Sequence, residues 1–270
     1  MIVLYGHGYV ADYIAKEMHK QSFKFVRLTH NALLPKDAKF IVNAAGFTGN
    51  PNVDACEVLR DECVDGNIRW PLKLERIASQ ISDLPILHIT SGCVYTGYDR
   101  EWTENDSPNF TFNNASFYSA CKALAQELLM PYLNKSYLFR IRMPFGPHIH
   151  HKNLLTKYEQ YAKLVDYENS VTQVEDLAKC VCHFIKTKPS YGIYNVCNPG
   201  STSTKKIVAE MGLEKEWMTH EEFAKAVIAP RSNCVLNTKK LESVYAMRPA
   251  DQAIRETVRT YISHGLHMTV

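Results

Sequence analysis

The sequence predicts an α/β fold, a doubly wound parallel sheet with helices on both faces and a smaller second lobe. Three observations carry this expectation. Short apolar runs of strand length recur along most of the chain, amphipathic stretches of helix length separate most of them, and a glycine-rich turn joins the first run to the first helix.

Taken in order, the strand candidates are Ile2–Tyr5, Lys24–Leu28, Phe40–Ala44, Pro85–Thr90, Tyr137–Arg142 and Gly192–Val196. Helical periodicity marks Val10–Lys20, Val53–Ser82, Phe117–Leu133 and Val174–Thr187, the second expected to break near Gly66 and Pro71. After about Met143 the alternation loosens into Pro-bounded loops and short helical patterns such as Lys239–Tyr245 and Ala250–Ser263. The expected division is a core of residues 1–142, to which 171–197 return, and a substrate-binding lobe from 143–170 and 198–270.

The 270 residues suffice for a substantial core, and a 46% hydrophobic, 22% charged composition is that of an ordinary soluble protein. A net charge of +3 without a Lys/Arg stripe argues against nucleic acid as partner and leaves small anions such as phosphates open. No apolar run approaches the roughly 20 residues that span a bilayer. Because Met1–Tyr5 reads directly into a strand, no signal peptide is expected. The eight cysteines then read as free thiols in the reducing cytoplasm. Cys56 and Cys63 have core spacing, and Cys180 and Cys182 point to different helix faces.

Gly6-His7-Gly8-Tyr9-Val10-Ala11 follows the first strand and opens the first helix, fitting G-x-G-x-x-A. Gly6 permits the tight turn, Gly8 lets backbone approach a pyrophosphate, and Ala11 allows close helix–sheet packing, as in Rossmann-type folds. NAD sites commonly carry an acidic residue after the second strand, but Phe25–Asn31 holds none; Arg27 and His30 are candidates for a 2′-phosphate instead. NADPH is therefore the expected cofactor, with NADH the alternative. Asn43-Ala44-Ala45-Gly46 ends the next strand with small residues that leave room for a dinucleotide.

Thr90-Ser91-Gly92-Cys93 closes an apolar strand, and Tyr118-Ser119-Ala120-Cys121-Lys122 follows on a helix. Tyr118 and Lys122, four apart, share one helix face, while Ser91 and Cys93, two apart, would point the same way from a strand. Reducing a ketone needs a hydride on carbon and a proton on oxygen. Tyr118 is the proton donor, Lys122 the neighbouring ammonium and ribose ligand, and Ser91 (or Thr90) the hydrogen-bond donor to the carbonyl oxygen. Cys93 reads either as a small apolar residue or as a base for a carbon acid beside that ketone.

These residues resemble the extended short-chain dehydrogenase/reductases. Gly46-Phe47-Thr48-Gly49-Asn50-Pro51-Asn52-Val53-Asp54, Asp106–Thr111, Arg140-Ile141-Arg142-Met143-Pro144 and Ala229-Pro230-Arg231-Ser232-Asn233 are similar to the nucleotide-rhamnose epimerase-reductases within them. The resemblance implies epimerisation at carbons 3 and 5 of a UDP- or dTDP-linked 4-keto-6-deoxyglucose, then NADPH-dependent reduction at carbon 4. It places the epimerising cysteine on Cys93 and its partner on Lys157, in Asn153-Leu154-Leu155-Thr156-Lys157. It also implies Arg231 for the substrate diphosphate, Thr48, Asn67 and Asn153 at the sugar, Val171 and Gln173 near the base, and a homodimer. The glycine turn is shorter than the family's G-x-x-G-x-x-G. A 4-keto reductase without epimerase activity and a non-catalytic dinucleotide-binding subunit of this fold are the alternatives. His148-Ile149-His150-His151 reads as a polar loop at the active-site mouth; no metal is expected there, because no carboxylate or cysteine completes a ligand set.

Overall fold

The computed structural model describes residues 1–30, 32–81 and 84–266, without the side chains of 264–266. The chain begins with β1 (Ile2–Tyr5), α1 (Tyr9–Lys20), β2 (Phe25–Leu28) and β3 (Phe40–Asn43). Next come a 3₁₀ turn at Val53–Glu57, α2 (Arg60–Val64), a π turn at Asp65–Arg69, α3 (Trp70–Ser79), β4 (Ile86–Ser91), β5 (Gly97–Trp102), α4 (Phe117–Leu129) and β6 (Ser136–Ile141). Then follow β7 (Pro144–Phe145), α5 (Leu154–Gln160), β8 (Lys163–Val165), β9 (Glu168–Asn169), β10 (Thr172–Gln173), α6 (Val174–Thr187) and β11 (Gly192–Asn195). The remainder is β12 (Thr202–Ser203), α7 (Thr204–Glu210), β13 (Glu216–Met218), α8 (His220–Ala226), β14 (Cys234–Leu236), α9 (Lys239–Glu242) and α10 (Ala250–Leu266).

The six strands expected from apolar runs all join one parallel sheet, in the order β11-β6-β4-β3-β1-β2. The Rossmann-type fold class is thus observed. Alternation along β1 sets the layers: Ile2 and Leu4 pack with Ile14 and Met18 of α1 and Phe184 of α6, while Val3 and Tyr5 pack with Trp70 and Leu74 of α3. The chain runs from β1 to β2 on one side and then to β3 on the other, so a crevice opens at the carboxyl ends of β1 and β3. A separate apolar cluster joins Leu154, Leu155 and Tyr158 of α5 to Ile207, Val208, Ile254 and Val258 of α7 and α10.

Two sequence expectations change. Gly66 and Pro71 do not break the helical stretch: helix runs through the π turn from Arg60 to Ser79, and the interruption lies at Val58 and Leu59. Pro71 sits in the first turn of α3, where a missing amide is tolerated. Gly66 serves a close approach instead, since a Cβ there would lie 2.9 Å from that of Phe47. Ser82 lies outside the described residues. Cys93 is not on β4, which ends at Ser91, but in the turn beyond it.

Candidate active site

The glycine turn stands at the crevice. Gly6 has φ +123°, and a Cβ on it would come within 2.9 Å of the Ala44 backbone, so only glycine lets β1 and β3 end side by side. At Gly8, which caps α1, a Cβ would meet no atom within 4 Å. That open cradle before a helix N-terminus fits a dinucleotide pyrophosphate. His7 is exposed, Tyr9 buried and Val10 half-buried.

Asn43 is held from below. Its Oδ1 accepts from Trp70 Nε1 at 3.1 Å and Ala45 N at 3.2 Å, and its amide donates to His88 Nδ1 at 3.0 Å. His88 Nε2 in turn donates to the buried Glu75 at 3.0 Å, which also accepts from Ser136 Oγ at 2.6 Å. This buried chain fixes the small-residue strand end Asn43–Gly46 beneath the crevice. Arg27 is less free than the sequence suggests: it donates to Gly6 O at 2.7 Å and pairs with Asp12 at 2.5 Å.

Ser91, Cys93, Tyr118 and Lys122 converge. Cys93 packs on the apolar cluster that contains Tyr118, and Cys93 N donates to Ser91 Oγ at 3.0 Å. Burial pushes the Tyr118 phenol well above its ordinary value, the Cys93 sulfur adds to the rise, and a hydrogen bond with Ser91 opposes it. The phenol therefore stays protonated, as a proton donor must. Lys122 lies with Nζ 5.8 Å from the Tyr118 ring centroid, and burial pushes it down to about 8. Gly46 keeps the space beside Lys122 open, since its Cβ would sit 3.5 Å from Nζ.

Lys157 projects from α5, whose N-cap Asn153 accepts from Leu155 N at 3.2 Å. Burial first, then the charges of Lys152 and Arg231, push it down to about 8. Arg231 is engaged by Asp54 through both guanidinium nitrogens. Thr48 is exposed on the loop after β3.

Four residues expected at the ligand are buried and engaged within the protein. Asn153, Val171 and Gln173 have no exposed surface: Asn153 is spent on Gly146, His148 and the start of α5, Gln173 caps α6, and Val171 is core. Asn67 is 1% exposed and clamps Phe47, donating to its carbonyl at 2.7 Å and accepting from its amide at 3.3 Å. It shapes the loop from beneath.

Arg142, which the sequence offered only as part of a motif, reaches the candidate site through a contact that residue patterns did not show. Its Nη1 donates to Cys93 Sγ at 3.0 Å. The prior signal was the pair of arginines, Arg140 and Arg142, at the end of an apolar run. Of the eight cysteines, Cys93 alone is not fully buried, which singles it out as the reachable thiol. The histidine loop lies against α1, with His150 stacked on Tyr9 at 4.7 Å. Among the described residues no group of three His, Cys, Asp or Glu could hold a metal, and no helix is long and apolar enough to cross a membrane.

A glycine turn at the crevice, with a Tyr-x-x-x-Lys helix beside a serine-ended strand, defines a Rossmann-type protein of the extended short-chain dehydrogenase/reductase class. No protein-family model matches the chain. It is 34% identical over 236 residues to the bifunctional dTDP-4-dehydrorhamnose 3,5-epimerase/dTDP-4-dehydrorhamnose reductase of Arabidopsis thaliana, covering 82% of this chain and 75% of that one. A trifunctional UDP-glucose 4,6-dehydratase/UDP-4-keto-6-deoxy-D-glucose 3,5-epimerase/UDP-4-keto-L-rhamnose-reductase from the same plant is 31% identical across 96% of this chain, which spans 41% of that relative's length. The UDP-rhamnose synthase of Acanthamoeba polyphaga mimivirus superimposes with a TM-score of 0.87 at 25% identity, over 96% of this chain and 99% of the other. A dTDP-4-dehydrorhamnose reductase from Clostridium acetobutylicum, 22% identical with a TM-score of 0.79, over 98% of this chain and 99% of that one, shares the fold. The chain belongs to the family of nucleotide-rhamnose epimerase-reductases.

Proposed function

We propose that the chain is a bifunctional enzyme that epimerises carbons 3 and 5 of a UDP- or dTDP-linked 4-keto-6-deoxyglucose and then reduces carbon 4 to give the L-rhamnose nucleotide. The observation that carries this reading is the half-buried Cys93 thiol in the pocket of Ser91, Tyr118 and Lys122. A reductase acting on an already epimerised sugar has no use for a thiol there. The activities of the plant relatives support it as well.

In the epimerising half, Cys93 as thiolate removes a proton from a carbon beside the ketone, and Lys157 as ammonium returns one to the opposite face. The thiolate becomes a thiol and the ammonium an amine, so protons and charge balance, and proton exchange with water restores both groups before the second carbon. Ser91 and Tyr118 hydrogen-bond the C4 oxygen, where negative charge collects once the carbon proton has left. In the reducing half, Tyr118 gives its proton to that oxygen, and Lys122 holds the nicotinamide ribose.

The nicotinamide cofactor, when bound, supplies the hydride. Gly6, His7, Gly8, Tyr9 and Val10 would hold its pyrophosphate, and Asn43–Gly46 would line its bed. NADPH suits a β2 end without a carboxylate acceptor, where Arg27 stands instead. Residues 1–142 with 171–197 carry the cofactor in this reading, and 143–170 with 198–270 the substrate. The uridine or thymidine diphosphate lies toward Arg231, in a cytoplasmic homodimer.

The test follows NADPH and NADH oxidation with UDP- and dTDP-linked 4-keto-6-deoxyglucose, with mass and NMR identification of the product. Rhamnose nucleotide formed by the chain alone is the expected result. A 4-reduced, unepimerised sugar would make it a reductase only, and no turnover would favour a binding role.

A further inference from the structure

We propose that Arg142 is the fixed counter-cation of Cys93, holding its sulfur as the thiolate that accepts the substrate proton. This positioning role rests on the reading of Cys93 as the proton-removing group.

Arg142 is 2% exposed, and its partners carry no formal negative charge. Nη1 donates to Cys93 Sγ and to Ser232 Oγ, both at 3.0 Å, and Nη2 donates to Asn169 Oδ1 and to Ser232 O. Among the described residues no carboxylate pairs with it, whereas Arg231 and Arg248 each have one. An uncompensated guanidinium so deeply buried is costly. The other fully buried arginine, Arg140, has no ion pair either, but the charges of Glu104 and Asp106 support it, whereas the groups that support Arg142 are sulfurs.

Three thiols face it. Burial opposes the charge on Arg142, and the sulfurs of Cys234, Cys93 and Cys197 lie near enough to act on it. Burial also pushes the Cys234 thiol up, and that of Cys197 up to about 12, so both stay neutral. Cys93 is the one thiol to which the Arg142 guanidinium donates a hydrogen bond among the described residues, and it alone is not fully buried. The other charge near Cys93 is on Lys122, and the Tyr118 phenol beside it is neutral.

The backbone is built for this contact. Gly92 lies between Ser91 and Cys93, and a Cβ there would meet Arg142 Cδ at 2.9 Å and Cγ at 3.0 Å. The absent side chain lets the arginine stem pass beneath the turn and bring its head to the sulfur.

The test is alkylation of Cys93 by iodoacetamide at pH 7 on the full chain, followed by peptide mass. Arg142→Gln is expected to slow it at least tenfold, Arg142→Lys to retain most of the rate, and Ser232→Ala, which loosens the tether but keeps the charge, to change it less than threefold. Wild-type reactivity in Arg142→Gln, or equal slowing in Ser232→Ala, would overturn the proposal. Should Arg142→Gln not fold, the far-ultraviolet thiolate absorbance of wild type minus Cys93→Ser decides: a band at pH 7 supports the pair, and its absence overturns it. If the pair is present but Cys93→Ser still exchanges substrate carbon protons, the epimerase reading fails and the Arg142–Cys93 pair stands.

Discussion

Arg231 and Asp54 form a two-pronged ion pair, each carboxylate oxygen 2.7 Å from a guanidinium nitrogen, joining the loop before β14 to the 3₁₀ turn after β3. The fork proposed for a substrate diphosphate is thus already occupied by a carboxylate. Asp54 Oδ1 also accepts from Ala229 N at 3.1 Å, so the carboxylate orders the whole approach to Arg231. The Arg231 hydrogen bond holds the Asp54 carboxyl below its ordinary range, so the tie persists at neutral pH and is lost only as pH falls through that lowered value.

A diphosphate must displace Asp54 to reach Arg231. Asp54→Asn keeps an acceptor for Ala229 but surrenders the guanidinium, so UDP should bind severalfold more tightly. Arg231→Ala should weaken UDP by about ten- to a hundredfold, the scale of hydrogen bonds to a charged group. Calorimetric titration with UDP checks both.

Lys122 makes stability rise with pH in an unusual window. Its folded value of about 8 lies below the roughly 10.4 of an unfolded lysine, so between them the unfolded chain binds more protons. The cost of burying the ammonium is felt fully below pH 8 and is relieved as pH rises toward 10. Lys122→Met should raise Tm by several degrees at pH 7 and lose that advantage near pH 10, as scanning calorimetry would show.

Lys157 must carry a proton to give one. Because burial, Lys152 and Arg231 set it at about 8, epimerisation should fall as pH rises through that value. Relieving one of these causes by Lys152→Ala should shift the decline upward in pH. Initial rates of deuterium uptake into the substrate, from pH 6 to 10, provide the measurement.

Gly92→Ala should damage chemistry and stability together. The new methyl would stand 2.6 Å from Leu236 Cδ1 as well as against the Arg142 stem. Overpacking of this kind costs about 1–3 kcal/mol, and it drives Arg142 from Cys93. Chemical denaturation and Cys93 alkylation rates should change in parallel.

The strands of the sheet were legible because each is a short apolar run covered on both faces, as the alternation of Ile2 and Leu4 against Val3 and Tyr5 illustrates. Strand β5 was not, since Gly97–Trp102 is a mostly exposed, charged segment defined by pairing with β14 far along the chain. Spacing alone brought Tyr118 and Lys122 together on α4, and the glycine turn was local. Arg142 and Asp54 stayed hidden because their roles come from contacts 49 and 177 residues away in sequence. Asn153 and Gln173 show a local role that the motif did not reveal: each caps the helix that follows it.

Two reactions in one pocket, separable by side chain, is the central claim. Turnover of UDP-4-keto-6-deoxyglucose with NADPH in deuterium oxide, read by mass and NMR, tests it most directly. Wild type should yield rhamnose nucleotide labelled at carbons 3 and 5, Tyr118→Phe a labelled but unreduced ketone, and Cys93→Ser no label, while still reducing pre-epimerised substrate. Label at carbons 3 and 5 in Cys93→Ser would contradict it.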